Sequence, residues 1–238
     1  MSTNPFTLTR ESIIDGSMQQ WVVHSDPTIK LRTEDEHRRS IAEILAARPD
    51  AGGDVWVFAY GSLIWNPTID SVERRPAELR GYHRRFCLWT HLGRGTIDCP
   101  GLMLALERGG SCHGIVYRIA AEVADQELMI LWRREMLTGA YRPRWVKTRS
   151  ANNESIHAIA FTMNTAHERY AGRLSEAEVA AVIARATGVL GPCCSYLFST
   201  VDHLRQMGLR DRHLECLARE VEALHRVKPL CSRVAGRD

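Results

Sequence analysis

The sequence predicts an α+β fold in which a small mixed or antiparallel sheet curls toward a barrel and helices flank it. Six short β-prone segments lie between residues 55 and 163. Most are separated by short stretches containing glycine or asparagine, which are typical of hairpins. Segments with helical periodicity stand before, among and after them. Short strands joined mainly by hairpins favour a sheet that curls on itself, with helices packed outside.

The composition indicates one ordinary globular core. The 238 residues are 45% hydrophobic and 25% charged, with a formal net charge of +3. Lysine and arginine form no block, so we expect no nucleic-acid partner. No apolar run reaches the roughly 18 residues of a membrane span, and the N-terminus does not resemble a signal peptide. We therefore expect a cytoplasmic protein that does not associate with membranes.

Seven cysteines occur at irregular spacings, without a CxxC pair. Such spacing gives little support to a zinc site or a thioredoxin-like motif, so we predict no metal and no cofactor. Cys193 and Cys194 are adjacent, which makes a thiol switch an alternative to the simpler interpretation as reduced, partly buried thiols.

The first 53 residues read as a helical extension. Residues 33–36 match a capping box, which predicts a helix start. Ile41, Ile44 and Leu45 share one face before residues 49–53 break the pattern. We predict an N-terminal helical extension over residues 1–53, on the outside of the domain, and one domain over residues 54–238.

The strands and later helices follow from local patterns. Residues 55–60 form an apolar segment that ends at Gly61, and residues 79–89 read as a long strand with a glycine bend. Two segments around Gly109 and Gly110 predict a hairpin. The remaining predicted elements are strands at residues 144–149 and 156–163 and helices at residues 122–136, 175–186 and 211–225.

The end of the first strand is a candidate binding site. Backbone N–H groups at Gly61, Ser62 and Leu63 are little shielded there, because glycine has no side chain. Such groups suit a carboxylate or a developing oxyanion. A plain strand followed by a tight turn explains the same residues.

Glu135 is the candidate acid–base residue. It stands at i+7 from Leu128, on the apolar face that also carries Leu131 and Trp132. Burial there would raise its pKa toward the range that general acid–base catalysis requires. On periodicity alone, a structural glutamate paired to an arginine is an equal alternative.

Several motifs resemble one family. Residues 60–63 read YGSL and residues 60–67 read YGSLIWNP; residues 80–86 match RGYxRRF, and residues 134–141 place an Arg-Glu pair before Gly-x-Tyr. Together they resemble the ChaC branch of the γ-glutamylcyclotransferase superfamily. The sequence departs from the family pattern where Leu92 and Gly93 are inserted, and where Cys193 and Cys194 replace a usual asparagine.

The resemblance implies a γ-glutamylcyclotransferase-like fold and an enzyme that acts on glutathione, giving 5-oxoproline and Cys-Gly without a cofactor. It implies that Glu135 is catalytic and that Tyr60 and Tyr141 belong to the substrate site. Tyr196 is either a hydrogen-bond donor to substrate or a core tyrosine. Arg80 and Arg94 either neutralise the glycyl carboxylate of glutathione or are solvated surface residues.

Two other functions stay open. One is a cyclotransferase for other γ-glutamyl peptides or amines, which would use the same chemistry. The other is a non-enzymatic regulator of cation transport, a label given to members of the family. An exposed Glu135 or a filled cleft would favour the regulator.

Overall fold

A closed barrel of five strands forms the centre of the protein. The computed structural model describes residues 6–227. In chain order the elements are α1 (Arg10–Ile14), α2 (Ser17–Ser25), α3 (Glu34–Ala46), β1 (Val55–Ala59), β2 (Glu73–Thr90), β3 (Gly101–Ile119), α4 (Ala124–Glu135), β4 (Tyr141–Ser150), β5 (Ser155–Met163), α5 (Glu176–Arg185), β6 (Thr187–Gly188), β7 (Gly191–Pro192), α6 (Cys193–Gln206) and α7 (Arg212–Val227). The predicted α+β fold with a barrel-like sheet is confirmed.

The strand order in the sheet is β1-β3-β2-β4-β5. The barrel closes because β5, the last strand in that order, also contacts β1 and β3. Antiparallel pairing joins each neighbour in that order. Parallel contacts then bring β5 against β1, at Val57 and Ile159, and against β3, at Leu106 and Thr162. The sheet is therefore mixed, and its apolar side chains form most of the core.

The predicted hairpin at Gly109 and Gly110 is wrong. This segment is a single strand, β3, which pairs with β2 on both sides of the two glycines. Their φ angles of 104° and 65° are left-handed, a region that glycine adopts readily. Gly81 in β2 has a φ of 84°, and the pairing register shifts between Arg80 and Tyr82. The glycines bend two paired strands together, as in a bulge, and end neither of them.

The N-terminal helices pack against the barrel. The capping box of α3 is confirmed, because Thr33 Oγ1 accepts a hydrogen bond from the Glu36 N–H at 3.2 Å, and the Glu36 carboxylate accepts one from the Thr33 N–H at 2.7 Å. Ile41 is buried in the barrel's core cluster. The indole of Trp145 on β4 donates to the Ile44 carbonyl at 2.6 Å.

Helices α1 and α2 lie within the predicted helical extension, in which no individual helix was located before residue 33. Ile13 of α1 and Met18 of α2 belong to the same hydrophobic cluster as the barrel residues. The two segments therefore contribute to the core of the structure. The division into residues 1–53 and residues 54–238 stays a prediction.

The helices predicted over residues 122–136, 175–186 and 211–225 are confirmed as α4, α5 and α7. On α4, Leu128, Leu131 and Trp132 are fully buried, and the Trp132 ring stands edge-on to Phe161 of β5, with ring centroids 5.3 Å apart. Helix α4 thus lies against the barrel wall. None of the helices in residues 6–227 has the length and apolar character that a membrane span needs.

One buried arginine ties β2 to the end of β1 and to the segment before α7. The Arg84 side chain is only 1% exposed. Its Nη1 donates to the Tyr60 carbonyl at 2.7 Å and its Nη2 to the His113 carbonyl. Its Nε lies 3.0 Å from Asp211 Oδ2. Because a buried charge is tolerated only when it is paired and hydrogen-bonded, these contacts hold three parts of the chain in one arrangement.

We predict that Arg84→Ala lowers the free energy of unfolding by about 3–5 kcal/mol, because it removes one partner of a buried ion pair. Arg80→Ala is the matched control. Arg80 lies on the same strand with its side chain 72% exposed, and its removal should change stability by less than about 0.5 kcal/mol. Equilibrium urea unfolding measures both variants. Equal losses would contradict the importance of the buried contacts.

Candidate active site

A cavity of about 270 Å³, its mouth included, lies where β1 ends and α4 ends. Its lining residues come from five elements and the turn after β1: they are Tyr60, Gly61, Ser62, Leu63, Leu104, Glu135, Tyr141, Phe161 and Tyr196. Seven of the nine residues proposed from the sequence therefore meet at one place. Leu104 and Phe161 complete the wall; they are ordinary core residues by pattern, and only the closed barrel brings them here.

The turn after β1 contributes Gly61, Ser62 and Leu63 to the lining of the cavity. Residues Ser62–Ile64 form one turn of 3₁₀ helix, and the first N–H groups of a helix have no acceptor within it. A Cβ on Gly61 would lie 2.8 Å from the Tyr196 hydroxyl oxygen. Tyr196 is held in place edge-on to Trp65 and Phe86, with ring centroids 5.5 and 5.9 Å away. Glycine is therefore the residue that this close approach requires.

Glu135 is the last residue of α4 and faces the cavity with a side chain that is 13% exposed. Burial raises the pKa of its carboxyl group, and the neighbouring Arg134 guanidinium opposes that rise without cancelling it. The apolar face predicted from Leu128, Leu131 and Trp132 thus carries Glu135 to a largely dry position. The shift moves the pKa of this carboxyl group in the direction that a general acid–base requires.

Arg134 is a site residue that the sequence analysis did not single out. Its side chain is 5% exposed, and its Nε lies 3.0 Å from Glu135 Oε1. The guanidinium also donates to Ser62 Oγ at 3.0 Å, to Thr68 Oγ1 at 3.1 Å and to the Asn66 carbonyl. It therefore connects the carboxylate to the turn after β1. The signal in the sequence that could have indicated Arg134 is its position next to Glu135, near the end of the predicted helix.

The three cavity tyrosines have neutral hydroxyl groups, because burial raises the pKa of Tyr60, Tyr141 and Tyr196. The Tyr60 hydroxyl donates to the Phe161 carbonyl at 2.6 Å, and the Tyr141 hydroxyl donates to the Leu104 carbonyl at 2.9 Å. With those protons engaged, the oxygens of Tyr60 and Tyr141 offer lone pairs to a ligand.

Arg80 and Arg94 do not line this cavity. Arg80 is exposed on β2, and its Nε donates to Glu78 Oε2 at 3.0 Å. Arg94 lies in the loop after β2, where its Nη1 donates to the Pro192 carbonyl at 3.3 Å; burial lowers the pKa of this guanidinium. Of the two alternatives for Arg80, its exposed position on β2 agrees with a solvated surface residue. A contact of Arg94 with the glycyl carboxylate stays a prediction.

The adjacent thiols are buried. Cys193 Sγ donates to the Leu102 carbonyl at 3.2 Å, and burial raises the pKa of Cys193 to about 11 and also raises that of Cys194. A thiol that resists ionisation is a poor nucleophile, which weighs against the thiol switch. The six cysteines within residues 6–227 are free, and Cys231 lies outside the described residues. In that range no group of three or more histidine, cysteine, aspartate or glutamate side chains is arranged to hold a metal ion.

The chain is similar to known proteins along most of its length. A family model described as "ChaC-like protein" matches residues 55–224. A glutathione-specific gamma-glutamylcyclotransferase of Escherichia coli (strain K12) is 41% identical over 194 residues, which span 82% of this chain and 84% of that protein. Glutathione-specific gamma-glutamylcyclotransferase 1 of Mus musculus is 30% identical, spanning 75% of this chain and 85% of that protein.

A solved structure of a yeast gamma glutamyl cyclotransferase specific to glutathione shares the fold. It superposes with a TM-score of 0.67 at 22% sequence identity, covering 72% of this chain and 97% of that one. The match agrees with the barrel and flanking helices described above. With the family match over well more than half of its residues, the chain belongs to the ChaC-like family.

Proposed function

We propose that this protein is a glutathione-specific γ-glutamylcyclotransferase that converts glutathione to 5-oxoproline and Cys-Gly. The observation that carries the proposal is the Glu135 carboxyl group, which is buried at the cavity with a raised pKa. The ChaC-like family and the named relatives support the substrate. The proposal includes the cytoplasmic location predicted from the sequence.

The reaction is an intramolecular acyl transfer. The α-amine of the γ-glutamyl group attacks the γ-carbonyl carbon, a new C–N bond closes the five-membered lactam, and the amide bond to cysteine breaks. The attacking nitrogen goes from ammonium to lactam N–H and loses two protons, and the departing nitrogen goes from amide N–H to ammonium and gains two, so the step balances without water or an enzyme nucleophile. Holding amine and carbonyl together contributes up to roughly 7–11 kcal/mol in favourable systems.

Glu135 is the residue that we assign to both proton transfers. A carboxyl group with an unshifted pKa is too weak a base at neutral pH, and burial moves this one in the useful direction. Arg134 positions it, because its guanidinium contacts Glu135 and Ser62 together. The carboxyl group and the turn thereby keep one relative position.

The backbone at Gly61, Ser62 and Leu63 is our candidate for binding the substrate's α-carboxylate or the developing oxyanion. Arg84 helps to orient one of these N–H groups. The Tyr60 carbonyl and the Gly61 N–H belong to one planar trans peptide unit, so the bond from Arg84 to that carbonyl fixes the direction of the N–H. Donors held in place before the reaction need no reorganisation when charge develops.

The cavity does not determine which leaving group the substrate carries. With its mouth included the cavity measures only about 270 Å³, so we expect its lining to contact the γ-glutamyl part of the substrate and to leave the leaving group outside. Other γ-glutamyl peptides or amines therefore remain the alternative substrates. The position of Glu135 does not favour a regulator of cation transport, because its side chain is largely buried and not exposed.

We predict that purified protein with glutathione and EDTA forms 5-oxoproline and Cys-Gly, and that Glu135→Gln lowers kcat by about 10²–10⁴-fold, because it removes a general acid–base. Glu122→Gln, an exposed glutamate just before α4, is the matched control and should keep full activity. Mass spectrometry identifies both products. Full turnover by a correctly folded Glu135→Gln variant would remove Glu135 from the mechanism.

We also predict that Glu135→Gln is more stable than the parent protein at pH 7–8. Since the folded-state pKa of Glu135 is raised above the ordinary 4.5, ionising it disfavours the folded state. Below pH 4.5 the carboxyl group is protonated in both states and the gain disappears; as pH rises toward the folded-state pKa the gain grows, and above that pKa it is constant. Urea unfolding at several pH values measures this difference, and a variant less stable at pH 8 would contradict it.

A further inference from the structure

A second and larger groove lies on the barrel, away from the candidate active site. Strand β4 pairs with β2 only where Thr148 to Ser150 meet Ala77 to Leu79. Beyond that point β2 bends at Gly81. The two strands separate, and the space between them forms a groove of about 1290 Å³, its open mouth included. None of its lining residues lines the cavity that contains Glu135.

Arginines dominate the lining of this groove. They come from four separate segments, namely β2, β3, β4 and the stretch before α5, and are Arg85, Arg108, Arg142, Arg144 and Arg173. Glu107 is the one acidic residue among the lining residues. The groove thus has a formal charge of +4, with histidine neutral, while the whole chain has +3. The rest of the chain therefore has a formal charge of −1, since 3 − 4 = −1.

The single carboxylate already has partners. Glu107 accepts a hydrogen bond from Arg85 Nη1 at 2.8 Å and one from the Tyr170 hydroxyl at 2.5 Å. Arg85 also donates to the Gly172 carbonyl at 2.7 Å. The charges of Arg85 and Glu107 therefore cancel, and their contacts fix one wall of the groove.

The other four guanidinium groups have no carboxylate partner within residues 6–227: they are those of Arg108, Arg142, Arg144 and Arg173. Arg108 stands over the ring of Tyr82, 6.0 Å from its centroid, an arrangement that holds the cation without neutralising it. Like charges that share one concave surface repel each other, and an anion seated among them removes that repulsion.

We propose that this groove binds a small molecule that carries two or more phosphate groups. Arginine presents a planar fork that matches phosphate oxygens in pairs. At about −1.5 to −2 per terminal phosphate near pH 7, such a ligand matches four unpartnered guanidinium groups better than a single carboxylate does. Thr165 in the lining adds a hydroxyl donor.

The test is calorimetric titration of the full chain with inorganic tripolyphosphate. In Arg142→Ser/Arg144→Ser the dissociation constant should rise by at least about tenfold, because two of the four unpartnered guanidinium groups are gone. The matched control is Arg80→Ser/Arg149→Ser, which removes the same charge outside the groove, at one position on β2 and one on β4. Its affinity should stay within about twofold of the parent protein. Arg108→Ser/Arg173→Ser replaces the first variant if that one fails to fold.

ATP serves as the second probe and distinguishes a nucleotide from phosphate alone. If the groove recognises phosphate groups, tripolyphosphate displaces ATP, and the binding of both probes weakens as salt rises from about 20 to 200 mM. Absence of tripolyphosphate binding at the lower salt concentration would overturn the proposal. An equal loss of affinity in the control variant would also overturn it, because the charge of the whole chain would then explain the binding.

Discussion

The bond from Arg84 to the Tyr60 carbonyl is the contact on which the geometry of the site depends most. It is made by a guanidinium with almost no exposure, and the same side chain contacts His113 and Asp211. Strand β2, the end of β1 and the segment leading into α7 are therefore fixed around one charge. Arg134 approaches the same turn from α4 through Ser62. Two buried arginines, one on β2 and one on α4, thus fix the turn after β1, and neither needs to contact a substrate.

The second constraint is electrostatic. Burial raises the pKa of Glu135, so the ionised carboxylate is disfavoured where the fold puts it. Arg134 offsets part of that effect, and the balance leaves a carboxyl group suited to proton transfer. Proteins commonly give up stability at sites where chemistry needs a particular group. The hydroxyl groups of Tyr60 and Tyr141 complete the surroundings without adding charge, because both stay protonated.

Seven of the nine residues proposed from the sequence line one cavity, whereas the predicted hairpin is absent from the sheet. Gly61 and Glu135 are visible in the pattern because a strand end and a helical stripe are local features. Gly109 and Gly110 were misread, since a glycine pair permits a reversal and a bulge equally, and only the pairing with β2 decides between them. Arg80 and Arg84 occupy one motif, yet one is exposed and the other buried.

Other features depend on long-range contacts. Helix α6 was missed although it carries Tyr196, because Cys193 and Cys194 directly follow Pro192 and no polar side-chain cap marks the start of the helix. The arginines of the groove come from four separate segments of the sequence, so no local window joins them all. They converge because β2 bends away from β4. Local pattern thus finds single residues, and the closed barrel decides which of them meet.

The most direct test of the central claim is turnover of glutathione in water enriched in the heavy oxygen isotope, followed by mass spectrometry of the products. Attack by the substrate's own amine predicts 5-oxoproline that carries no solvent oxygen, with no glutamate formed. Glutamate, or 5-oxoproline labelled from the solvent, would mean that water attacks the γ-carbonyl and would contradict the cyclisation mechanism built around Glu135.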